Sequence, residues 1–498
     1  MILTKDNLKL LESSEKLSVA RLDSFDLPEK ILQFGTGVLL RGLPDYFIHQ
    51  ANCQGIFNGR VVIVKSTQKG STDEFHNQNS LYTIGIRGVE DGREIEENMI
   101  CSAVSRVLSA ETEWNDILKF ASSPDLQVII SNTTEIGIQL VEENIDTIPP
   151  KSFPGKLLAV LYQRYKIFGG DESRSLVILP TELISNNGDV LKGIVSELAE
   201  HNRLPKEFIR WLETNTFCNT LVDRIIPGKP DKNTLASLEE QLGYCDELLF
   251  FAEPYRLWAI EGDERIRKIL TFEQADSGVI ITEDITFHKE LKLRLLNGTH
   301  SLSCAAAYLS GIDTVREAMA DPVISHFIKG LIQNELASAI PYPVPPETAL
   351  QFSEKVLDRF RNPYIRHQWI TISSNYTLKL QMRVIPVLQQ FYIKFQTVPE
   401  HIAFGFAAYL RFMKCESVDG GFVGFANDKP YRIEDDQAEY YSALWAHCEA
   451  DELVTRSLSN SQLWKSDLTL LPGFVKSVTN HLRNIEEIGV KDAIKLIN

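Results

Sequence analysis

Lys30-Ile-Leu-Gln-Phe34 runs directly into Gly35-Thr36-Gly37-Val38-Leu39-Leu40-Arg41-Gly42, and this junction decides how the first half of the chain folds. The apolar run stops at a glycine, as a short buried strand does. Two glycines one residue apart let the backbone turn tightly and approach a pyrophosphate, and the next helix aims its first N–H groups at that anion. A bare G-x-G also occurs in ordinary strand-to-helix turns. Its position after the first buried strand, near the start of the chain, points to a dinucleotide turn. The full fingerprint has a third glycine at position 40, where this chain carries Leu40. Expected cofactor contacts are Ile31, Phe34, Gly35, Thr36, Gly37, Val38, Leu39, Leu40, Arg41 and Gly42, with Arg41 adding a charge-assisted bond to phosphate.

Further strands follow at the spacing of a layered α/β domain. Arg60-Val-Val-Ile-Val64 is β-branched and continuous, as in a strand buried on both faces of a parallel sheet. Leu126-Gln-Val-Ile-Ile130 ends in Ser131-Asn132-Thr133-Thr134-Glu135, and Ser175-Leu-Val-Ile-Leu179 ends in Pro180-Thr181-Glu182. Helical patterns over 114–121 and 155–168 lie between them. Alternating strands and helices predict a Rossmann-like, doubly wound α/β sheet. Asn132, Thr133, Thr134 and Glu135 follow a parallel strand at its ligand edge, where they can touch a ribose or nicotinamide; capping of the next helix is the plain alternative. The second strand ends in Lys65-Ser66-Thr67-Gln68, without the acid that holds the ribose hydroxyls of NAD. Lys65 or Ser66 would tolerate a 2′-phosphate, so these residues leave NAD against NADP open.

Residues 1–30 read as polar and helical in part. After about residue 285 the pattern changes: long amphipathic helices dominate (291–310, 323–339, 349–360, 403–415) and buried strands vanish. The expected organisation is a nucleotide-binding domain over 1–285 and a mostly α-helical domain over 286–498, a pair that leaves a cleft for ligand.

Composition bounds the function. The chain has 498 residues, 51 basic and 67 acidic, for a net charge of −16. Such a surface repels nucleic-acid phosphates and anionic lipid. Seven scattered cysteines without C-x-x-C argue against a disulfide framework and a zinc cluster and suit a reducing cytoplasm. No apolar signal core opens the chain, and no run approaches the roughly 20 apolar residues of a spanning helix.

Chemistry is concentrated in Lys292-Leu-Arg-Leu-Leu-Asn297-Gly-Thr-His300. On an α-helix at about 100° per residue, Asn297 lies about 140° and His300 about 80° around from Lys292, so all three can face one side. These types suit alcohol–carbonyl redox without a metal. Hydride leaves carbon only as the hydroxyl proton is removed; a desolvated lysine can take it, and an amide can donate to the developing alkoxide. His300 can orient a substrate hydroxyl. Singly, each of these residues also fits an ordinary solvated or packed helix.

The K-x4-N-x2-H pattern resembles the signature of the polyol-specific long-chain dehydrogenases, the mannitol dehydrogenase-like family. So do Phe34-Gly-Thr-Gly37, Pro180-Thr-Glu-Leu-Ile-Ser-Asn-Asn-Gly188, Asn219-Thr-Leu-Val-Asp-Arg224 and Arg361-Asn-Pro363, in family order from about residue 30 to 480. Three stretches resemble the branch that interconverts D-tagaturonate and D-altronate: Leu32-Gln-Phe-Gly35, Ser131-Asn-Thr-Thr-Glu-Ile-Gly137 and Arg361-Asn-Pro-Tyr-Ile-Arg-His-Gln368. The resemblance implies a metal-independent, NAD-dependent oxidoreductase of hexuronate catabolism, cytoplasmic and monomeric. It implies Lys292 as acid/base, Asn297 and Asn219 as donors to the reacting oxygen, and His300 as substrate binder. Mannitol enzymes carry a glutamate three residues before the lysine; here that residue is Lys289, with Glu290 next to it.

A hexonate needs fixed positive charge. Arg361, Arg366, His367, Lys379 and Arg383 are candidates to supply it, with Asn362 and Asn375 beside them as polar contacts. Action on fructuronate or an uncharged polyol is the nearest alternative, and a non-catalytic NAD-binding sensor is the alternative of another class.

Overall fold

The computed structural model describes every residue except 68–69, 134–136, 428 and 498. The chain divides into two compact units, Met1–Arg87 with Glu94–Ile285, and Gly88–Arg93 with Thr286–Asn498.

In the first unit, the run 29–34 forms β1 (Glu29–Phe34), followed by α1 (Val38–Gly42) and α2 (Pro44–Cys53). Pro44 starts α2 because its missing N–H is not needed there, and the two short helices join at a kink at Leu43. Then come β2 (Arg60–Lys65), β3 (Val104–Ser109), β4 (Val128–Ser131), α3 (Phe153–Phe168), β5 (Val177–Pro180), α4 (Asn187–His201) and β6 (Thr216–Phe217). The six strands are parallel in the order β3-β2-β1-β4-β5-β6. This is the doubly wound order that the strand–helix alternation predicts.

Burial on both faces explains the unbroken β-branched run of β2. Val61 and Ile63 enter one core with Ile31, Val128 and Ile130, whereas Val62 and Val64 enter the other with Leu32, Phe34 and Ile129. All four β2 residues are fully enclosed, each worth about 1.5–3 kcal/mol of burial. Two smaller sheets adjoin this core, one containing the strands Tyr82–Glu90 and Arg93–Cys101, the other running from Thr220 to Thr282. Near the N-terminus, Thr4 caps the short helix Lys5–Leu8, and a 3-10 turn spans Leu22–Asp26.

The second unit is built from helices that include α5 (Thr286–Leu291), α6 (Gly298–Leu309), α7 (Pro346–Arg361), α8 (Tyr376–Arg383) and α9 (Glu400–Phe412). Leu302 and Cys304 to Ala307 of α6 lie in the middle of its apolar core. Two expectations are corrected here. The pattern over 291–310 is not one α-helix: Lys292–Asn297 is wound as a π-helix between α5 and α6, and a second π turn, Leu331–Leu336, interrupts 323–339. Nor is this unit free of strands. Cys415–Val418 (β7), Gly421–Ala426 (β8) and Lys429–Ile433 (β9) form an antiparallel meander. Its strands are short and half exposed, yet the apolar run Gly421–Ala426 and Asp419-Gly420, both at positive φ, were readable strand and hairpin signals. Among the described residues, no helix is long and apolar enough to cross a membrane.

Candidate active site

β1 has β2 on one side and β4 on the other, which makes its carboxyl end the point where the strand order reverses and ligands bind. Gly35 ends it with φ +131°, closed to residues with a Cβ; an added Cβ would meet Leu40 Cδ1 at 2.8 Å and Asn132 O at 3.1 Å. Gly37 is the N-cap of α1, and nothing lies within 4 Å of where its Cβ would stand. A tight turn with open space over its second glycine fits a pyrophosphate. Leu40 replaces the third glycine and covers Gly35. The close approach of helix to neighbour falls instead at Gly42, where a Cβ would meet Ile226 at 2.6 Å and Phe250 at 2.8 Å.

Not every expected cofactor contact faces ligand. Ile31 and Phe34 are fully enclosed and shape the strand. Arg41 is 7% exposed; its Nε donates to Thr36 O at 3.2 Å and its Nη1 to Leu248 O at 3.0 Å, amid the rings of Phe75, Tyr82 and Phe250. The expected phosphate contact is thus replaced by a brace behind the turn. Gly35 to Leu39 keep accessible surface.

Two motifs separate in sequence form one assembly. Buried Glu182 accepts from Thr133 N (2.8 Å), Thr133 Oγ1 (3.1 Å) and Ser131 Oγ (3.2 Å). Asn132 Nδ2 donates to Thr181 O and Oγ1. The Pro-Thr-Glu end of β5 therefore fixes the Ser-Asn-Thr end of β4. Thr134 and Glu135 lie outside the described residues. Lys65 is buried, and its Nζ donates to Thr67 O rather than facing a 2′-phosphate.

Asn219 departs from expectation. Its Nδ2 donates to Asp189 Oδ2 (2.9 Å) and Glu261 Oε2 (2.7 Å), and its Oδ1 accepts from the Gly188 and Asp189 amides. Both amide hydrogens are spent on carboxylates, one at the start of α4 and one at the end of the strand Leu257–Glu261, so this arrangement does not present them to a reacting oxygen.

In the helical unit, Lys292 and Asn297 bound the π turn and both are half-buried. Bonding from i to i+5 makes residues five apart near neighbours along the axis, which brings Asn297 closer to the Lys292 side than α geometry does; such turns recur at functional sites. Among the described residues, the Asn297 side-chain amide makes no hydrogen bond. Glu290 holds Arg294 through Nε (2.8 Å) and Nη2 (3.1 Å), and Arg294 Nη1 reaches the Met382 and Arg383 carbonyls at the end of α8. Glu290 thus pins the turn. One turn on, the Tyr376 hydroxyl donates to Ser301 O (2.7 Å) and accepts from Ala305 N (3.1 Å), splicing itself into the α6 ladder.

His300 is buried, stacked on Phe360 at 4.3 Å and edge-on to His367 at 5.0 Å. Burial, with the charges of His367, Arg359, Arg383 and Lys379, holds its imidazole well below the usual range, so it is neutral. Burial likewise lowers Arg383 to about 10 and pulls Lys379 down. Arg383 Nη1 donates to Ser301 Oγ at 3.0 Å; Lys379 Nζ donates to Ile372 O at 2.9 Å and Ser374 Oγ at 3.2 Å. Neither is ion-paired with a carboxylate among the described residues.

The structure thus brings His367, Lys379 and Arg383 around His300 and adds Arg359, which its helical setting hid in the sequence. It does not add Arg361, Arg366 or Asn375. Arg361 pairs with Asp358 at 2.9 Å, Arg366 is exposed, and Asn375 lines a separate small pocket with Thr377, Asp435 and Gln462. Asn362 is buried, and its Oδ1 accepts from Tyr364 N. Among the described residues, no three His, Cys, Asp or Glu side chains are grouped to hold a metal ion.

Family models match both parts: the mannitol dehydrogenase Rossmann domain over 29–274 and the mannitol dehydrogenase C-terminal domain over 284–486. Altronate oxidoreductase of Halalkalibacterium halodurans is 40% identical, over 96% of this chain and 94% of that protein. The Bacillus subtilis protein of the same name is 36% identical over 94% and 95%. In fold, the chain is similar to Pseudomonas fluorescens mannitol 2-dehydrogenase, solved with NAD and D-mannitol (TM-score 0.68, 21% identity, 99% of each chain). It is also similar to a D-sorbitol dehydrogenase (TM-score 0.78, 22% identity, 99% and 100%). With its glycine turn at the switch point and its Lys292, Asn297 and His300 in place, the chain belongs to the mannitol dehydrogenase family.

Proposed function

We propose that the chain is an NAD-dependent altronate oxidoreductase, interconverting D-tagaturonate and D-altronate. One observation carries the substrate class: Arg383 and Lys379, both drawn down by burial and without a carboxylate partner among the described residues, lie beside a neutral His300. Half-buried charge without an ion-paired carboxylate is costly, and a substrate carboxylate supplies that partner. An uncharged polyol does not. Names and identities of the curated relatives support the same reading.

Residues 1–285 bind the dinucleotide and 286–498 bind the sugar acid. Bound NADH supplies the hydride. Lys292, protonated, delivers a proton to the substrate oxygen, and in the oxidising direction the neutral amine removes it. Asn297 donates an amide N–H to that oxygen as charge builds. Neutral His300 offers one donor and one acceptor nitrogen to a hydroxyl, while Arg383, Lys379 and Arg359 hold the carboxylate. The cysteines, all free, suit the reducing cytoplasm, and the enzyme acts as a monomer.

NADH oxidation is measured against ketohexuronates and ketohexoses, with NADPH and with chelator. Tagaturonate is turned over fastest, NADPH is slower, and chelator has no effect. Lys292→Ala abolishes turnover and keeps NADH binding. Full turnover by that variant refutes the mechanism; NADH binding with no turnover of any sugar acid by the unaltered chain favours a sensor.

A further inference from the structure

Beneath the glycine turn lies a carboxyl that nothing above uses. Asp45, in the first turn of α2, is fully enclosed. Its Oδ2 takes Gln33 Nε2 at 3.3 Å and the Tyr82 hydroxyl at 3.3 Å. Each donor also reaches the turn: Gln33 Nε2 to Gly35 O at 3.4 Å, the Tyr82 hydroxyl to Arg41 O at 3.4 Å. One carboxyl oxygen therefore sits between anchors for the start and the end of the phosphate-binding segment. Its other oxygen, Oδ1, has no partner, and neither has Gln33 Oε1, which is also fully buried. Turning the Gln33 amide over would set its oxygen against Gly35 O, so the assignment stands.

An ionised carboxylate draws its donors in to about 2.7–2.9 Å. Asp246 nearby does so, taking Thr83 N at 2.6 Å, Gln78 Nε2 at 2.7 Å and Leu248 N at 2.9 Å. The longer contacts of Asp45, with its Oδ1 and the Oε1 of its partner Gln33 both buried and left without a donor, fit a carboxyl that keeps its proton. We propose that Asp45 is a positioning residue for the dinucleotide turn, carried as the neutral acid, whose proton ties it to Gln33 and holds Gly35 and α1 in the shape that takes pyrophosphate. This rests on the reading of Gly35 to Gly42 as that turn.

The groups facing Asp45 are few. They are Gln33 on β1, Arg41 on α1, and Tyr82 and Cys101 on the adjoining strands; Asp246 acts on Arg41, and His49, one turn along α2, is bonded to Ser102 instead. Cys101 and Tyr82 are pushed up by burial and His49 is lowered to about 4, so all three are neutral near pH 7. Burial pushes Asp45 up to about 7, which puts its proton loss in the neutral range. Loss of that proton leaves an enclosed anion behind the site of another anion.

The test is equilibrium binding of NADH, by fluorescence, to the unaltered chain and to Asp45→Asn at about pH 6 and about pH 8.5. The unaltered chain is expected to weaken by about fivefold to tenfold at the higher pH. Asp45→Asn, a permanent mimic of the protonated acid, is expected to keep the low-pH constant at both. Equal pH profiles, or weaker binding by the variant at low pH, overturn the proposal. Should the variant not fold, infrared titration of the unaltered chain decides: a buried protonated-carboxyl band must disappear in step with NADH affinity, and a mismatch overturns the proposal. Failure of the unaltered chain to bind NADH at any pH refutes the dinucleotide reading itself, a separate outcome.

Discussion

Replacing Arg383 with Met keeps the stem of the side chain and removes its charge. Two losses follow, and they differ in which substrates feel them. A carboxylate about 4 Å from a cation at an effective dielectric near 20 gains about 4 kcal/mol. Lys379 and Arg359 remain beside His300 and recover part of it, leaving a net loss of about 3 kcal/mol, or about a hundredfold, for a hexuronate. The second loss is the bond from Nη1 to Ser301 Oγ at 3.0 Å, which steadies α6 for every substrate. It is worth about 0.5–1.5 kcal/mol, at most about tenfold. The assay is kcat/KM for a ketohexuronate and a ketohexose of the same chain length, measured with both proteins at saturating NADH. The hexuronate value should fall at least about tenfold further than the ketohexose value. Equal falls would show that Arg383 braces the helix and does not read the carboxylate.

Other expectations follow from single contacts. Gly35→Ala forces a Cβ into a φ of +131° and against Asn132 O, so it costs about 1–3 kcal/mol, seen as weaker NADH binding with the melting temperature lowered; unchanged binding would remove Gly35 from the site. Tyr376→Phe leaves Ala305 N without its partner inside α6, lowering stability by about 1–3 kcal/mol in urea titration, with NADH binding intact. His49 is lowered to about 4 by burial, below its unfolded 6.5. The unfolded chain therefore takes up a proton first, and stability present above about pH 6.5 is lost as pH falls towards 4, by about 3 kcal/mol. His49→Gln should flatten that part of the urea-midpoint profile; an unaltered slope would assign it elsewhere.

Much of the fold was readable because burial on two faces leaves a local mark. The unbroken Arg60–Lys65 run, the glycines of the first turn and the pattern Trp114–Ala121 each announce their structure within a few residues. The meander over 415–433 was missed because its flanking strands are short, polar and mostly exposed, although Gly421–Ala426 is apolar and Asp419-Gly420 marked its first hairpin. The π turn was missed because the leucines of 291–310 fit an α period well, and one residue's change of winding leaves their pattern intact.

What the sequence by itself determined is the layered α/β half, the helical half, and the residue types that handle a proton and an anion. Those follow from local spacing and side-chain chemistry. Only the tertiary structure decided what each polar group spends its bonds on. It turned Arg41 and Asn219 inward to brace backbone, joined Glu182 to the end of β4, drew Arg359 to His300 and set Arg361 against Asp358. Hydrogen bonds and buried charges are satisfied across tens or hundreds of residues, and no spacing rule along the chain records which partner wins.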